Sequence, residues 1–468
     1  MARFTINELL TATGGKLLNA AVQNGEEGSV LGVCTDSRRI EPNNLFLALE
    51  GENFDGHDYI PQAVSAGASA VITAKEVSVP QGVSVIKVPD TLVALGDIAR
   101  FHRRRFRIPV IAVTGSNGKT TTKELIATAL GHKYQVVKTR QNFNNEIGLP
   151  LTLLEINQST EAVVVEMGMR GKGQISYLAR IAEPTIGVIT NVGITHMELL
   201  GSQQAIAEAK AELITALPAD GTAILNGDDQ LVAAMHSLFP GIAYFFGIKE
   251  NDLDLKALRI IQHTQACTDE KAGQLVTVDG KWGRFSFFLP LPGEHNVANA
   301  LSAVTVGLVL GMTPLEFKEA FVELPEMEKR LRIIHSGGLI IIDDTYNASP
   351  PSVKAALQVL ADQSQSKRRI AVLGDMLELG ELSSKAHREI GQAAVAYGCS
   401  ALFALGPRSS EMVSVVGGDP LIARHYEKKS DLLYDLLAYI SPGDAILIKG
   451  SRGMKMEEIV SELLTHLA

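Results

Sequence analysis

The sequence predicts an α/β protein of several blocks, built on open and mainly parallel sheets. Short apolar β-branched runs recur along the chain, and amphipathic helical patterns separate them. Strands alternating with helices lead to parallel sheets covered on both faces. At 468 residues the chain exceeds what one ordinary core accommodates, so two to four domains are expected.

The first block, residues 1–108, holds short strands at Asn43 to Leu49 and Ala70 to Thr73. An amphipathic helix from Thr91 to Phe106 closes it. Pro109 marks a junction, because the residue before a proline is pushed out of helical geometry. The second block, residues 109–331, opens with the buried-type strand Val110 to Val113. Similar strands follow at Ala162–Val165, Ile186–Ile189 and Thr222–Leu225, with helices between. The stretch from Asn251 to Phe288 alternates and reads as an antiparallel appendage, and a helix from Asn296 to Leu310 ends before Gly311. The third block, residues 332–468, repeats the pattern with strands at 339–342, 370–373, 401–404 and 445–448, a second open α/β sheet.

Composition excludes several function classes. A net charge of -9 repels nucleic acid and anionic membranes. The basic run His102 to Arg107 reads as a solvated helix end before a linker. Cys34, Cys267 and Cys399 are odd in number and lack metal-ligand spacing, which suits a reduced interior compartment. The N-terminus has no signal-peptide pattern, and no apolar run approaches the ~20 residues of a membrane span. A cytoplasmic monomer is the expectation, with no nucleic-acid and no membrane partner.

The chemistry starts at Thr114-Gly115-Ser116-Asn117-Gly118-Lys119-Thr120-Thr121-Thr122, between a buried strand and a helix. A triphosphate needs converging backbone N–H groups, a cation for the β and γ phosphates, and a hydroxyl for Mg²⁺. Gly115 and Gly118, Lys119, and Thr120 supply these in turn. This is a phosphate loop of ATP-using type, shortened by one position, since Val113 stands where the common spacing wants glycine. Glu166 ends the strand Ala162–Val165 and points toward the phosphates in a parallel sheet, or is a surface carboxylate. His196 follows another strand end, where a hydrogen-bonded structural histidine is the commoner reading. Ile206, Lys210, Leu213 and Leu217 share one helix face behind the cap Ser202. Lys210 in that apolar stripe either snorkels to water or is a buried amine of lowered pKa, able to form a carbamate with CO₂.

Taken together these segments resemble the Mur ligases, which build the peptide stem of bacterial cell-wall precursors. The resemblance spans nearly the whole chain. It rests on Val113 to Thr121, Val165 to Gly168, Asn191 to His196, Ala209 to Glu212, Gly293 to Ala300 and Asp343 to Ala348, in order. Within the family, Gly51–Asp58, Asn142–Gly148, Gly374–Gly380 and Lys449–Met454 are similar to members that add D-alanyl-D-alanine to a UDP-N-acetylmuramoyl tripeptide.

The resemblance implies three domains: a smaller α/β UDP-sugar-binding domain, a central P-loop ATPase-type domain, and a C-terminal Rossmann-like domain binding the incoming dipeptide. It implies ATP and two Mg²⁺ as cofactors. Thr120, Glu166, His196 and a carbamylated Lys210 are the implied metal ligands, with Lys119, Lys210 and His196 catalytic. Gly115, Ser116, Asn117, Gly118, Lys119, Thr120, Thr121, His295, Asn296, Asn299, Arg330 and Asp344 are implied for ATP. Thr35, Asp36, Ser37, Arg38, Asn144 and Asn145 are implied for the UDP substrate. The implied reaction is amide-bond formation through an acyl phosphate, with large rigid-body domain motion. A nucleotide-dependent switch is the rival from another class. The chain lacks the Asn-Lys-x-Asp guanine signature and carries two further α/β blocks, which count against it.

Overall fold

A computed structural model describes residues 2–19, 28–51, 53–195, 197–263, 273–325, 327, 329–363, 365–417 and 421–467. Cys267 and His196 lie outside the described residues.

Three larger sheets follow one another along the chain. The first has the spatial order Lys16–Asn19, Ser84–Lys87, Ala70–Thr73, Leu45–Leu47, Val33–Cys34. Its pairings are parallel except at the Lys16–Asn19 edge. Helix Thr91–Arg103 closes this block, capped by Asp90, whose carboxylate accepts from the N–H groups of Leu92 and Val93.

The central sheet runs Phe285–Leu289, Gly273–Gly280, Leu255–His263, Ile242–Gly247, Thr222–Asn226, Ile186–Ile189, Val110–Thr114, Ala162–Glu166, Val136–Lys138. From Val136–Lys138 to Leu255–His263 the pairings are parallel, and the last two strands add an antiparallel ribbon. Every residue of Val110–Thr114 and Ala162–Glu166 is buried, which is why the former reads as an unbroken β-branched and small apolar run. The third sheet runs Arg332–Ser336, Leu339–Asp344, Ala445–Lys449, Arg369–Gly374, Ala401–Leu405, Ile422–Tyr426, parallel except at its first strand.

The first and central blocks share one hydrophobic core. Phe4, Leu45, Ile72, Leu95 and Ile98 belong to the same buried cluster as Val110, Val163, Ile175 and Ile214. The third block has its own cores, one on each face of its sheet.

The basic run departs from its expected role. The helix stops at Arg103, and both His102 and Arg103 are buried. Arg103 donates to the carbonyls of Ala182 (2.9 Å) and Glu183 (3.2 Å) at the end of helix Gln174–Ala182. Arg100 and Arg104 both pair with the Glu183 carboxylate. The last carbonyls of a helix lack partners and carry partial negative charge, so cations settle there. The run is a clasp between two blocks rather than a solvated end.

Candidate active site

Two glycines shape the phosphate loop. Gly115 takes φ +151°, and a Cβ there would meet Thr190 Oγ1 at 1.9 Å. Gly118 takes φ +81°, and a Cβ would meet Asn299 Oδ1 at 2.5 Å. Both combine backbone conformations that side chains disfavour with close neighbours. The loop is then braced from the next strand end. The Asn191 side chain accepts from Asn117 N–H (2.9 Å) and donates to Asn117 C=O (3.0 Å), while Ser116 N–H donates to Asn191 C=O (2.9 Å). Thr121 is buried behind the loop.

Lys119 folds back on its own loop, donating to the carbonyls of Gly115 (2.8 Å) and Ser116 (3.3 Å). Its side chain is partly exposed to the cleft, yet enclosure by protein lowers the ammonium pKa; nearby Glu166 opposes this and Arg330 reinforces it. Thr120 Oγ1 donates to Glu166 Oε2 (2.8 Å), and Asn144 Nδ2 donates to the other carboxylate oxygen (2.7 Å). Glu166 is 2% exposed, so it is a carboxylate buried at a strand end against the loop and not a surface group. Arg330 donates to Thr120 Oγ1 (3.0 Å) and stacks its guanidinium over the Tyr346 ring, 4.0 Å from the centroid.

Helix Glu294–Val309 brings His295, Asn296 and Asn299 to the same place. The helix starts at Gly293, without a side-chain cap, so the asparagines do not serve as caps. Asn299 Oδ1 accepts from Thr122 Oγ1 (3.3 Å), and Asn299 Nδ2 donates to Asn296 Oδ1 (3.2 Å). Burial, reinforced by the charge of Lys449, takes the His295 pKa down to about 4. Asp344 ends its strand and receives Lys449 Nζ at 2.5 Å. Burial raises its carboxyl pKa, with Lys449 and Arg330 pulling the other way.

Helix Gln203–Thr215 is capped by the Ser202 side chain, as expected. Lys210 does not snorkel. It is 1% exposed, burial takes its pKa well below the usual lysine range, and the charge of Lys119 adds to this. No hydrogen-bond or ion-pair partner for its amine occurs among the described residues.

The loop, strand ends and helix Glu294–Val309 surround one cavity of about 1170 Å³, and Lys210 is not among the residues that line it. Ser116 to Thr121, Asn144, Asn145, Glu166, His295, Asn296, Asn299, Arg330 and Asp344 all line it. Leu92 and Val93 reach it from the first block, and Tyr346, Ser349 and Lys449 from the third. Ser349 Oγ donates to Asn117 Oδ1 (2.8 Å), tying the third block to the loop. Thr35, Asp36, Ser37 and Arg38 are not brought to this cavity. They form a separate turn in which Arg38 pairs with Asp36 and holds its carboxyl down to about 2. Asn191, Ser349, Tyr346 and Lys449 are the contributors that sequence reasoning left without a role. Asn191 had a signal, since it follows its strand end as Glu166 ends its own.

Among the described residues, Glu50, Asp55 and His57 also lie close enough to share a cation. Their donors are already engaged. His57 Nε2 accepts from Ala74 N–H (3.0 Å), and Asp55 binds both His57 and Lys75.

A glycine loop between strand and helix, with a carboxylate–hydroxyl pair and closure by a neighbouring α/β block, defines a phosphate-handling α/β enzyme. Family models agree along most of its length: "Mur ligase family, catalytic domain" over residues 29–103, "Mur ligase middle domain" over 113–307, and "Mur ligase, glutamate ligase domain" over 329–452. The chain belongs to the Mur ligase family. It is 40% identical over 468 residues to the UDP-N-acetylmuramoyl-tripeptide--D-alanyl-D-alanine ligase of Bacillus subtilis (strain 168), covering 99% of each chain. It is 32% identical over 472 residues to the ligase of the same name from Escherichia coli (strain K12), again with 99% of each covered. Among solved structures, MurF from Acinetobacter baumannii superposes with a TM-score of 0.91 at 29% identity over 99% of both chains. MurF from Thermotoga maritima in complex with ADP gives 0.81 at 27% identity, over 93% of this chain and 97% of that one. In the described residues, no helix is long and apolar enough to cross a membrane.

Proposed function

We propose that this chain uses ATP to join D-alanyl-D-alanine to UDP-N-acetylmuramoyl-tripeptide, a step in peptidoglycan precursor synthesis. The observation that carries the reading is the full-length match to ligases of that name, together with a cavity to which all three blocks contribute beside the phosphate loop. Residues 1–108 take the UDP-sugar, 109–331 the ATP, and 332–468 the dipeptide. The protein acts in the cytoplasm as a monomer.

The tripeptide's terminal carboxylate attacks the γ-phosphate, giving an acyl phosphate and ADP. The dipeptide amine then attacks the acyl carbon and phosphate leaves. Lys119 exchanges the carbonyls of Gly115 and Ser116 for phosphate oxygens and neutralises charge on the transferring group. Arg330, held by Tyr346, adds a second cation at the Thr120 end of the loop. Asn296, Asn299, His295 and Asp344 orient the rest of the nucleotide. Asn144 and Asn145 face the peptide, and Thr35 to Arg38 hold the UDP.

The donor set at Thr120 and Glu166 fits magnesium: a hydroxyl and a carboxylate oxygen 2.8 Å apart, hard ligands side by side at the loop. His196 and a carbamate on Lys210 would supply the further ligands. Bound there, Mg²⁺ supplies charge neutralisation around the phosphates. The amine of Lys210, buried and without a partner among the described residues, supports carbamylation, because a neutral amine reacts with CO₂ and becomes an oxygen ligand. Closure of the third block excludes the water that would hydrolyse the acyl phosphate.

The test is phosphate release from ATP with UDP-tripeptide and a panel of amine acceptors. Release that depends on both UDP-tripeptide and D-alanyl-D-alanine is expected. Release without any acceptor would favour the nucleotide switch, and release with another acceptor alone would reassign the amine substrate.

A further inference from the structure

We propose that Lys123 is a positioning residue for the phosphoryl step: from within the core it fixes the backbone and the carboxylate of Glu166 against Thr120. This rests on the ligase reading above, with Glu166 and Thr120 as its magnesium pair.

Lys123 is fully buried, as Lys210 is, but unlike Lys210 it has partners. It stands three residues beyond Thr120 on helix Lys119–Gly131, so the two share a face. Its Nζ donates to Thr139 C=O (2.7 Å) and pairs with Glu124 (2.8 Å). Glu124 also pairs with Lys138. Taking a charge out of water is costly even when it is paired, and apolar side chains of similar volume often hold such positions as well or better. Packing alone therefore does not ask for a cation here.

Thr139 passes the constraint on. It follows Val136–Lys138, an edge strand of the central sheet, and is itself fully buried. Its N–H donates to Val164 C=O (3.0 Å), and its Oγ1 accepts from Glu166 N–H (3.1 Å). The last ladder pair of these two strands is Lys138 with Val164, so the hydroxyl extends the pairing to the Glu166 backbone. The loop that Thr139 opens then returns to the same carboxylate. Gln141 holds φ +47°, a conformation that a non-glycine residue keeps only where its surroundings impose it. Asn144 Nδ2 donates to Glu166 Oε1 (2.7 Å), and Asn144 C=O accepts from Gly168 N–H (2.9 Å). Glu166 Oε2 accepts from Thr120 Oγ1 (2.8 Å). A ring is closed: helix to Thr139, Thr139 to Glu166, Glu166 back to the helix. Lys123 does not line the cavity, so its influence on the phosphates passes through Glu166. Removing its amine leaves the Thr139 carbonyl unpaired and frees Glu166 to turn away from Thr120.

The experiment titrates a non-hydrolysable ATP analogue, with Mg²⁺ and with EDTA, into wild type, Lys123→Met, Glu166→Gln and the double variant. Methionine is close to lysine in size but lacks its donors, and Glu124 keeps Lys138. In Lys123→Met the tightening by Mg²⁺ is expected to shrink about ten- to hundredfold, while affinity in EDTA stays within about threefold of wild type. Added to Glu166→Gln, the same substitution should change the tightening by less than about threefold, since both act through one contact. In phosphate release, kcat should fall with the Mg²⁺-dependent affinity, and the KM for D-alanyl-D-alanine should move less than about threefold. Equal losses with and without Mg²⁺ overturn the proposal, because they mark a general loosening of the loop. So do losses that multiply in the double variant, and a Lys123→Met protein that binds like wild type. Should Lys123→Met fail to fold, Thr139→Val removes only the hydroxyl that meets Glu166, and the same outcomes decide. A wild type whose affinity ignores Mg²⁺ overturns the magnesium pair and this proposal with it. Intact Mg²⁺ tightening without dipeptide-dependent release overturns the ligase reading instead.

Discussion

Replacing Gly118 by alanine tests whether the loop's conformation and the asparagines behind it act as one unit. Alanine at φ +81° costs about 1–2 kcal/mol. Its Cβ would arrive 2.5 Å from Asn299 Oδ1, so that side chain must swing away. Asn299 would then lose the bonds from Thr122 Oγ1 and to Asn296 Oδ1, worth about 1 kcal/mol each. The total is about 3–4 kcal/mol, or roughly 10²- to 10³-fold in an equilibrium constant. If the loop keeps its shape, the whole amount appears as lost stability. If it relaxes, the nucleotide must restore it, and the amount appears in the ATP dissociation constant. Calorimetric titration with a non-hydrolysable ATP analogue, beside thermal melts of the free protein, reads both. The two losses should sum to about 3–4 kcal/mol. An affinity within threefold of wild type with an unshifted melting temperature would refute the account of the loop.

Other outcomes follow from the same geometry. Lys119→Ala should fold normally and lose turnover by about 10²- to 10³-fold, measured as phosphate release; full turnover would sink the mechanism. Lys210→Ala should be nearly inactive and partly rescued by short-chain carboxylates, whereas wild-type activity without them counts against the carbamate. His295 should titrate near pH 4 by NMR, below the ordinary 6.5. Because its folded pKa is lowered, the unfolded chain binds more protons between those values. Stability from this residue is complete above about 6.5 and is lost as pH falls toward 4, so a His295→Gln protein should show a flatter acid limb in pH-dependent melts. Arg103→Leu should cost about 1–3 kcal/mol in denaturant unfolding, because it strands the carbonyls of Ala182 and Glu183.

The sheets were legible because their strands are buried on both faces and read as unbroken apolar runs, as at Val110–Thr114. The phosphate loop was legible because all its chemistry is local, within Gly115 to Thr121. Glu166 needed one added idea, that ligands collect at strand ends. Other contributors were hidden for the same physical reason: their roles arise from contacts across long sequence separations. Nothing near Ser349 announces that it reaches Asn117, and nothing near Lys449 announces Asp344. The run His102–Arg107 was misread because its partner, the end of helix Gln174–Ala182, lies some 80 residues on, as with Arg103 and Glu183. Charge alone does not distinguish a cation facing water from one seated on a helix terminus.

The Arg330–Tyr346 stack also bears on how this enzyme can be recombined with relatives. Arg330 belongs by sequence to the central block but is shelved on a ring from the third, while its guanidinium touches Thr120 of the phosphate loop. Lys329 and Leu331 on either side both hold left-handed backbone, at φ +60° and +52°, so the segment cannot be respliced as an ordinary linker. A crossover at residue 331/332 would part the arginine from its shelf and couple it to a foreign ring. Hybrids joined ahead of Lys329 keep both in one parental piece and leave contacts such as those of Arg330 with Thr120 and of Ser349 with Asn117 to rematch, which makes that the sounder seam for exchanging the third block between family members.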